Sequence, residues 1–314
     1  MEKILVTGGA GFIGSTLCEK LLDSGKAIIC LDNFNDYYSP EIKRNNLSNC
    51  LENENFKLIK ADIREKEKLS EIFAGEEFDK VVHLAALAGV RYSIDKPQLF
   101  EDVNVKGTLN LLELAKDKNL KNFVFASSSS VYGVSKKIPF KEDDSGNPIS
   151  PYGKTKQSGE KLCREYSEKH GMNISCLRFF TVYGPRQRPD MAIHKFTDLI
   201  ENGKEIPLFG DGKSQRDYTY IDDIVAGIAA AVDKEFKFEI FNLGNSKTVE
   251  LNYLVSLIEK ELGKKAKINR LPNQEGDVPI TYADISKSRE MLGFNPKTPI
   301  EEGIVKFVEW YMGK

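Results

Sequence analysis

The sequence feature that most constrains the fold is a glycine-rich turn close to the N-terminus. Residues 4–7 form a short apolar run, and the segment Gly8-Gly9-Ala10-Gly11-Phe12-Ile13-Gly14 follows it directly. Glycine there lets the backbone turn tightly and lets main-chain N–H groups approach an anion, and the last glycine allows close packing of helix and strand. The positive end of the following helix, predicted at 11–24, then faces that anion. The turn therefore predicts a strand–turn–helix unit that binds a pyrophosphate through Gly8, Gly11, Phe12, Ile13 and Gly14.

Short apolar runs alternate with longer amphipathic stretches through the first half of the chain. Strands are predicted at 4–7, 27–32, 56–60, 80–83, 122–126 and 173–177. Helices are predicted between them at 11–24, 69–74, 98–118 and 150–170. This repeated alternation favours an α/β fold with a doubly wound parallel sheet of the Rossmann type. In such a sheet ligands bind beyond the carboxyl ends of the strands, at the switch in strand order.

The pattern changes after Arg178, where glycine and proline become denser and the predicted helices are shorter. Strands at 206–209 and 240–243 and helices near 251–262 and 299–311 predict a smaller mixed α/β lobe. A helix predicted at 221–232 returns to the first domain. We therefore expect a dinucleotide-binding domain at 1–178, together with 215–235, and a substrate-binding lobe at 179–314.

Charge and cysteine content limit the function classes. The 45 basic and 47 acidic residues nearly cancel, and neither sign forms a long block. Nucleic acid and anionic membrane surfaces are therefore not expected as main partners. The sequence begins MEKILVTGG, and we expect neither a signal peptide nor a membrane-spanning run. The five scattered cysteines show no metal-type spacing and indicate buried thiols in a reducing cytoplasm.

Asp32 ends the second predicted strand, where dinucleotide-binding folds place an acid. A carboxylate there accepts hydrogen bonds from the ribose hydroxyls of an adenosine and repels a 2′-phosphate, so NAD is favoured over NADP as the cofactor. Asn33 and Asn35 follow in the same loop and are further candidates for the cofactor site. Asp62 and Ile63 are candidates for the adenine pocket, although Asp62 would serve equally well as a helix N-cap.

Tyr152 and Lys156 lie four residues apart near the start of a predicted helix, so they share one face of it. A tyrosine with a pKa near 10 is a poor base at neutral pH unless a nearby cation stabilises its phenolate. Lys156 can supply that charge and can also bind a ribose hydroxyl. Together with the dinucleotide turn, the pair predicts a site that moves a hydride on and off an alcohol carbon.

The segments TGGAGFIG, HLAA, SSSSVYG and YGKTK resemble those of the extended short-chain dehydrogenase/reductase family, in particular its nucleotide-sugar 4-epimerases. The resemblance covers essentially the whole chain. It implies a tightly bound NAD, a nucleoside-diphosphate sugar held by the smaller lobe, and a homodimer formed through 98–118 and 150–170. It also implies that Ser128 is the third catalytic residue, which binds the reacting oxygen. Further cofactor contacts implied by the resemblance are Leu84, Ala85, Ala86, Asn104 and Phe180.

The residues after Ser128 bear on the reaction. Related dehydratases carry an Asp-Glu pair directly after the catalytic serine or threonine, and UDP-glucuronate decarboxylases carry a glutamate two residues before the tyrosine of the motif. Here Ser129 and Ser130 occupy these positions. The resemblance therefore implies epimerisation through a transient 4-keto sugar, with Tyr152 as the base and no net use of cofactor.

Two segments resemble UDP-glucuronate 4-epimerases, NFNDYY at 33–38 and FFTVYGP at 179–185, the latter followed by RQRPDM. UDP-galactose epimerases usually carry an asparagine in place of Thr181. Thr181, Ser129 and Arg188 could hold a sugar carboxylate, with Arg91 as a second cation. A diphosphate clamp or a solvated loop explains Arg186 and Arg188 nearly as well. UDP-glucuronate is thus the favoured substrate, and UDP-glucose or UDP-N-acetylglucosamine the alternative.

The nucleotide end of the substrate site is assigned by resemblance alone. Arg216 matches an arginine of the family that contacts the diphosphate, and Asp277 is a candidate for the nucleoside ribose. Gln274 stands where the family often has a second arginine, which leaves part of the phosphate site in doubt.

Two other function classes remain open at this stage. A non-catalytic NAD or nucleotide-sugar sensor would keep the glycines but need not keep Tyr152, Lys156 and Ser128 together. A reductase that releases its product would turn over NADPH, which Asp32 disfavours.

Overall fold

The computed structural model describes residues 1–135, 137–144, 146–272 and 278–313. Its strands are β1 (Lys3–Thr7), β2 (Ala27–Asp32), β3 (Phe56–Lys60), β4 (Lys80–His83), β5 (Asn122–Ser128), β6 (Ile174–Phe179), β7 (Thr181–Tyr183), β8 (Glu205–Phe209), β9 (Gln215–Arg216), β10 (Tyr218–Tyr220), β11 (Phe238–Leu243), β12 (Val249–Glu250) and β13 (Lys267–Leu271).

The helices of the first half are α1 (Phe12–Asp23), α2 (Pro40–Asn46), α3 (Ser48–Leu51), α4 (Lys66–Gly75), α5 (Val90–Asp95), α6 (Pro97–Glu101), α7 (Gly107–Asp117) and α8 (Pro151–His170). Those of the second half are α9 (Ala192–Glu201), α10 (Ile221–Asp233), α11 (Leu251–Leu262), α12 (Ser286–Leu292) and α13 (Ile300–Tyr311). A π-helical segment, Asp102–Lys106, joins α6 to α7, and a 3₁₀ turn, Ser129–Val131, follows β5.

The central element is a seven-stranded sheet in the order β3-β2-β1-β4-β5-β6-β11. Every neighbouring pair in it is parallel. The chain builds outward from β1 to β3, then crosses back and continues from β4 on the other side, which puts the switch in strand order between β1 and β4. This arrangement confirms the predicted doubly wound fold and places the ligand crevice at the carboxyl ends of these two strands.

The sheet is covered on both faces, which explains why its strands read as continuous apolar runs. Ile4 and Val6 of β1 point into one core together with residues of α1 and α10. Leu5, between them, points into the second core with residues of α4, α7 and α8. Because successive side chains of a strand alternate, one apolar strand contributes to two separate cores.

The structure corrects the placement of one predicted strand. Residues 240–243 were expected in the smaller lobe, but they belong to β11, which pairs along its length with β6 as the seventh strand of the large sheet. A short apolar run carries no information about its partner, so the sequence pattern could not distinguish the two locations. The helix predicted at 221–232 does return to the first domain, because α10 packs in the same core as α1.

The described part of the smaller lobe contains three two-stranded sheets. β7 pairs with β10 and β8 pairs with β13, both in parallel, and β12 pairs with β9 in antiparallel fashion. Helices α9, α11 and α13 contribute buried faces to the core around these strands. In the described part of the chain, no helix is long and apolar enough to cross a membrane.

Candidate active site

A cavity of about 470 Å³ runs along the carboxyl ends of the central strands. It begins at the glycine-rich turn, passes the ends of β2 and β4, and reaches the start of α8 and the loop after β7. Most of the residues predicted from the sequence line it: Gly8, Gly11, Phe12, Ile13, Gly14, Asp32, Asn33, Asn35, Asp62, Ile63, Leu84, Ala85, Ala86, Ser128, Ser129, Tyr152, Lys156, Phe180, Thr181 and Arg188.

Different steric contacts explain why glycine stands at each of these positions of the turn. Gly8 has a positive φ of 71°, and a Cβ there would lie 2.7 Å from the main-chain nitrogen of Ala85. A Cβ on Gly14 would lie 2.2 Å from the carbonyl oxygen of Gly8. A Cβ on Gly11 would lie 3.2 Å from the carbonyl oxygen of Gly8, which is a tight contact. Gly11 precedes α1 without a side-chain cap, which leaves the first amides of α1 for an anion in the cavity.

Asp32 is buried at the end of β2 and its carboxylate is held by the backbone. Oδ2 accepts a hydrogen bond from the Ala10 N–H at 3.1 Å, and Oδ1 accepts one from the Phe34 N–H at 2.8 Å. Burial raises the pKa of this carboxyl, and the backbone hydrogen bonds and the charge of Lys43 partly offset the rise. The second lone pairs of its oxygens remain suited to ribose hydroxyls.

The structure excludes one of the two interpretations of Asp62, the helix N-cap. Helix α4 begins at Lys66 with Glu65 as its N-cap, so Asp62 does not cap it. Its carboxylate instead accepts hydrogen bonds from Asn33 and from the main chain and guanidinium of Arg64. Burial alone raises the pKa of Asp62, but the bonds from Arg64 lower it to about 2. Asp62 therefore lines the cavity as a carboxylate fixed beside Asn33.

Helix α8 places Tyr152 and Lys156 because of how it starts. Ser150 caps it by accepting a hydrogen bond from the Gly153 N–H at 3.1 Å, and Pro151 occupies the first helical position. Tyr152 then lies in the first turn, and both it and Ser128, at the end of β5, line the cavity. The buried Lys156 donates from Nζ to the carbonyl oxygen of Ala126 at 2.7 Å.

The electrostatics of this group differ from the sequence-based expectation in one respect. Burial raises the pKa of Tyr152, and the nearby Ser128 hydroxyl and the positive charge of Arg188 offset part of the rise. Arg188 is thus a cation near Tyr152 in addition to the one expected, and the role expected of Lys156 stays a prediction. Burial lowers the pKa of Lys156 to about 8, against a smaller opposite effect of Cys163 and Glu160.

The two arginines of the loop after β7 have separate roles. Arg186 makes a bidentate ion pair with Glu19 of α1, at 2.9 and 2.8 Å, and does not reach the cavity. Arg188 lines the cavity together with Thr181 and Met191. The proposed diphosphate clamp by both arginines is therefore not supported by the geometry, whereas a single cation at the end of the cavity is.

Three predicted contacts lie elsewhere. Asn104 sits behind the cavity wall, where its amide bonds the main chain of Leu87 and the hydroxyl of Thr155. Arg91 packs its guanidinium on the ring of Phe209 at 4.6 Å. Arg216, in β9, bonds the carbonyl oxygen of Gln215. None of these three is among the described residues that line the cavity. Asp277, like Gln274, lies outside the described residues.

Several lining residues escaped the sequence analysis as site residues, notably Tyr37, Tyr38, Lys43 and Met191. Lys43 is the clearest case, because it is buried although it belongs to a polar run on α2. Its Nζ donates to the main-chain and side-chain oxygens of Asn35 at 2.7 and 2.9 Å, which fixes the loop after β2. No local pattern marks a single lysine for this role.

Comparison with known proteins agrees with this geometry. The family model described as GDP-mannose 4,6 dehydratase matches residues 5–307. The chain belongs to this extended short-chain dehydrogenase/reductase family. As a member of this family, it is 45% identical over 312 residues to a UDP-glucuronate 4-epimerase of Thermodesulfobacterium geofontis, covering 99% of the chain and 96% of the relative.

Solved structures of the family superpose over nearly the whole chain. One is the UDP-glucuronic acid 4-epimerase of Bacillus cereus in complex with UDP-glucuronic acid and NAD, with a TM-score of 0.94, 39% identity and 99% coverage of both chains. Another is the UDP-glucose 4-epimerase of Thermotoga maritima with UDP-glucose, with a TM-score of 0.91, 34% identity and the same coverage.

Proposed function

We propose that this family member is an NAD-dependent UDP-glucuronate 4-epimerase that forms UDP-galacturonate. The observation that carries the proposal is the composition of the single cavity described above. It joins the dinucleotide turn to Ser128, Tyr152 and Lys156, and it ends at Arg188. Similarity to UDP-glucuronate 4-epimerases over the whole chain supports it.

The residues at the glycine-rich end fit NAD. The uncapped amides of α1 suit a pyrophosphate, and Asp32 offers acceptors for ribose hydroxyls. Of its three N–H donors, Lys156 gives one to Ala126, which leaves two for a ribose hydroxyl. When bound, NAD⁺ takes a hydride from C4 of the sugar and returns it.

The residues around Tyr152 accept the proton of the C4 hydroxyl and return it. Tyr152 takes the proton from the C4 hydroxyl and gives it back, and Ser128 binds the same oxygen through a hydroxyl that can donate and accept. The raised pKa of Tyr152 means that cations must favour its phenolate. Arg188 acts on it already, and a protonated Lys156 together with the positive charge of NAD⁺ would add to this effect.

The absence of an acid–base carboxylate at the reacting end favours epimerisation over elimination. Among the described residues that line the cavity, the carboxylates are Asp32 and Asp62, and both lie at the adenosine end. Ser129 and Ser130 line the cavity at the positions where related dehydratases and decarboxylases carry acids. The described lining residues therefore include no carboxylate placed to take a proton from C5 of the 4-keto sugar, which favours hydride return.

An acid sugar sets a further requirement. A 4-keto glucuronate is a β-keto acid, and it loses CO₂ when the C5–C6 bond aligns with the carbonyl π system. Arg188, Thr181 and Ser129 line the cavity, and we infer that they hold the carboxylate out of that alignment.

UDP-glucose is the second candidate substrate, and one observation favours it. Arg188 already forms an ion pair with Asp190, so its charge is partly neutralised before a carboxylate binds. A UDP-glucose 4-epimerase is also among the similar structures.

NMR analysis of substrate conversion tests the proposal. The purified protein, without added reductant, is incubated with UDP-glucuronate and separately with UDP-glucose and UDP-N-acetylglucosamine. We expect UDP-galacturonate with little reaction of the neutral sugars and no net NADH formation. Conversion of the neutral sugars alone would retain the fold and mechanism but overturn the assignment of the substrate. No conversion of any of the three would reject all of these substrates.

Arg188→Ala tests the carboxylate clamp within that proposal. We expect kcat/KM for UDP-glucuronate to fall by about 10²-fold, because a buried charged hydrogen-bonding partner contributes roughly 2–3 kcal/mol. Arg186→Ala is the matched control, because Arg186 is bound to Glu19 and does not line the cavity. Unchanged use of the acid sugar by Arg188→Ala would remove the clamp.

The pH dependence of kcat/KM tests the role of Lys156. Burial lowers its pKa to about 8, so the free enzyme loses the ammonium charge as the pH rises through about 8. We expect an alkaline decrease of kcat/KM for UDP-glucuronate near that pH, since the protonated form binds the ribose and favours the Tyr152 phenolate. Lys156→Arg, which retains its charge, should shift the decrease to higher pH. A wild-type profile that stays flat to pH 10 would contradict this role.

The remaining assignments are part of the same proposal. We propose that 1–178 with 215–235 bind NAD, that 179–314 hold the nucleotide sugar, and that Arg216 and Asp277 contact its nucleotide end. Homodimerisation through α7 and α8 is supported by partly exposed apolar side chains such as Leu109 and Leu162, and light scattering would test it. The five buried free thiols support a cytoplasmic location.

A further inference from the structure

The guanidinium of Arg188 is bound along one of its edges by Asp190. Nε donates to Oδ1 at 3.0 Å and Nη2 donates to Oδ2 at 2.9 Å. This bidentate geometry fixes the plane of the guanidinium as well as its position. Within the described part of the chain, Nη1 of Arg188 makes no hydrogen bond. Asp190 itself is exposed and does not line the cavity, whereas Arg188 does.

Tyr37 contacts both members of the Arg188–Asp190 ion pair. Its hydroxyl donates to Oδ2 of Asp190 at 3.1 Å, and its ring lies 5.5 Å from the guanidinium carbon of Arg188. The ring also contacts that of Tyr92 at a centroid distance of 4.9 Å. Tyr37 thus touches both members of the ion pair although it lies about 150 residues earlier in the chain, in the loop after β2.

The loop that carries Tyr37 is itself fixed. Oδ1 of Asn35 accepts a hydrogen bond from the Tyr37 N–H at 3.2 Å, and the buried Lys43 donates to the same oxygen. Phe34, in the same loop, donates its N–H to Asp32. The segment at 33–38 therefore connects the cofactor end of the cavity to the cation at its sugar end. This contact gives a physical role to the NFNDYY segment, which the proposed mechanism does not use.

We propose that Asp190 and Tyr37 are positioning residues that make the site selective for an acid sugar. They bind the Nε–Nη2 edge of Arg188 and leave Nη1 as the donor for the sugar carboxylate. Asp190 is therefore retained beside Arg188 when substrate is bound, and does not compete with the substrate for it. The inference rests on the proposed function and extends it to two residues that do not contact the reacting atoms.

The orientation of Arg188 also affects a side reaction, the decarboxylation of the 4-keto intermediate. A loosely held guanidinium lets the C5–C6 bond rotate into line with the C4 carbonyl. The C5–C6 bond then breaks, CO₂ leaves, and the electron pair forms an enolate that takes one proton at C5 to give a UDP-4-keto-pentose. The hydride taken from C4 remains on the cofactor, so one NADH accumulates for each CO₂ released.

The test uses NAD-saturated protein and compares Asp190→Asn and Tyr37→Phe with wild type. We expect Asp190→Asn to raise KM for UDP-glucuronate about tenfold, the effect of one charge-assisted hydrogen bond, and Tyr37→Phe to raise it less. The dissociation constant of UDP-glucose, measured by calorimetry, should not change. The ratio of UDP-4-keto-pentose and NADH to UDP-galacturonate should rise in both variants, which a general loss of folded protein would not cause.

Asp36→Asn is the matched control, because it removes the same charge from an exposed residue next to Tyr37. It should leave KM and the product ratio at the wild-type values. An unchanged or lower KM for Asp190→Asn would mean that Asp190 is a bystander or a competitor, and would overturn the inference. An equal loss of affinity for UDP-glucose would do the same. If wild-type protein does not convert UDP-glucuronate, the proposed function fails and this inference fails with it.

Discussion

Replacing Tyr152 by phenylalanine is expected to lower kcat for the epimerisation by about 10³-fold, within the range that a positioned acid–base group contributes. The change removes the hydroxyl that exchanges a proton with the sugar, but it keeps the ring that packs edge-on against Phe100. Binding of NAD and of UDP-glucuronate should therefore change little. Initial rates by NMR and dissociation constants by calorimetry check the two parts separately.

Tyr166→Phe provides the control for Tyr152→Phe. Tyr166 lies on the same helix, beside His170 and away from the cavity. Its hydroxyl can be removed without touching the residues around Ser128. We expect wild-type kcat from this variant. A Tyr152→Phe protein that keeps a tenth or more of the wild-type rate would show that another group moves the proton.

The second large effect is expected from a buried ion pair behind the cavity. Arg178 of β6 donates from Nε and Nη2 to the two carboxylate oxygens of Glu160 on α8, at 2.9 and 2.8 Å. Ser127 donates to the same carboxylate, and both charged side chains are nearly inaccessible to solvent. Burial of the carboxylate without its cation is costly, so Arg178→Met should reduce the free energy of unfolding by about 3–5 kcal/mol. Equilibrium denaturation followed by circular dichroism measures this change.

Two further variants show whether the loss of stability in Arg178→Met comes from leaving the Glu160 carboxylate buried without its cation. Arg164→Met removes an exposed arginine from the same helix as Glu160 and should change the free energy of unfolding by about 0.5 kcal/mol or less. The double variant Glu160→Leu/Arg178→Met leaves no buried charge unpaired, and we expect it to recover most of the lost stability. A loss below about 1 kcal/mol for Arg178→Met alone would mean that Glu160 is protonated or reached by water.

Those parts of the fold and site that depend on short sequence segments were predictable. The glycine-rich turn, the acid at the end of β2 and the Tyr152–Lys156 pair each depend on residues a few positions apart, whose relative placement is set by one turn or one helix. The strand–helix alternation likewise gave the sheet, because burial on both faces makes each parallel strand a continuous apolar run.

The contacts that the sequence did not reveal are not set by a local pattern. Arg186 and Arg188 are two residues apart and look equivalent, yet Arg186 is bound by Glu19 of α1, 167 residues away, whereas Arg188 lines the cavity. Lys43 is buried only because the loop after β2 folds over it. The partner of β11 is set by the whole sheet, which no window of neighbouring residues contains. In each case the physical cause is tertiary packing.

The position of β11 has a consequence for how the two halves of the site are held together. β6 and β11 are neighbours in the sheet, and the chain between them forms β7 to β10 and carries Thr181 and Arg188. This segment is anchored at both ends in the same sheet, by β6 at its start and by β11 at its end. The sugar end of the cavity therefore cannot swing away as a hinged domain, and a fragment ending after β6 would expose the hydrogen-bonding edge that β11 covers. Substrate entry must then depend on local rearrangement of loops and side chains, with the spacing between Tyr152 and Arg188 maintained by the sheet itself.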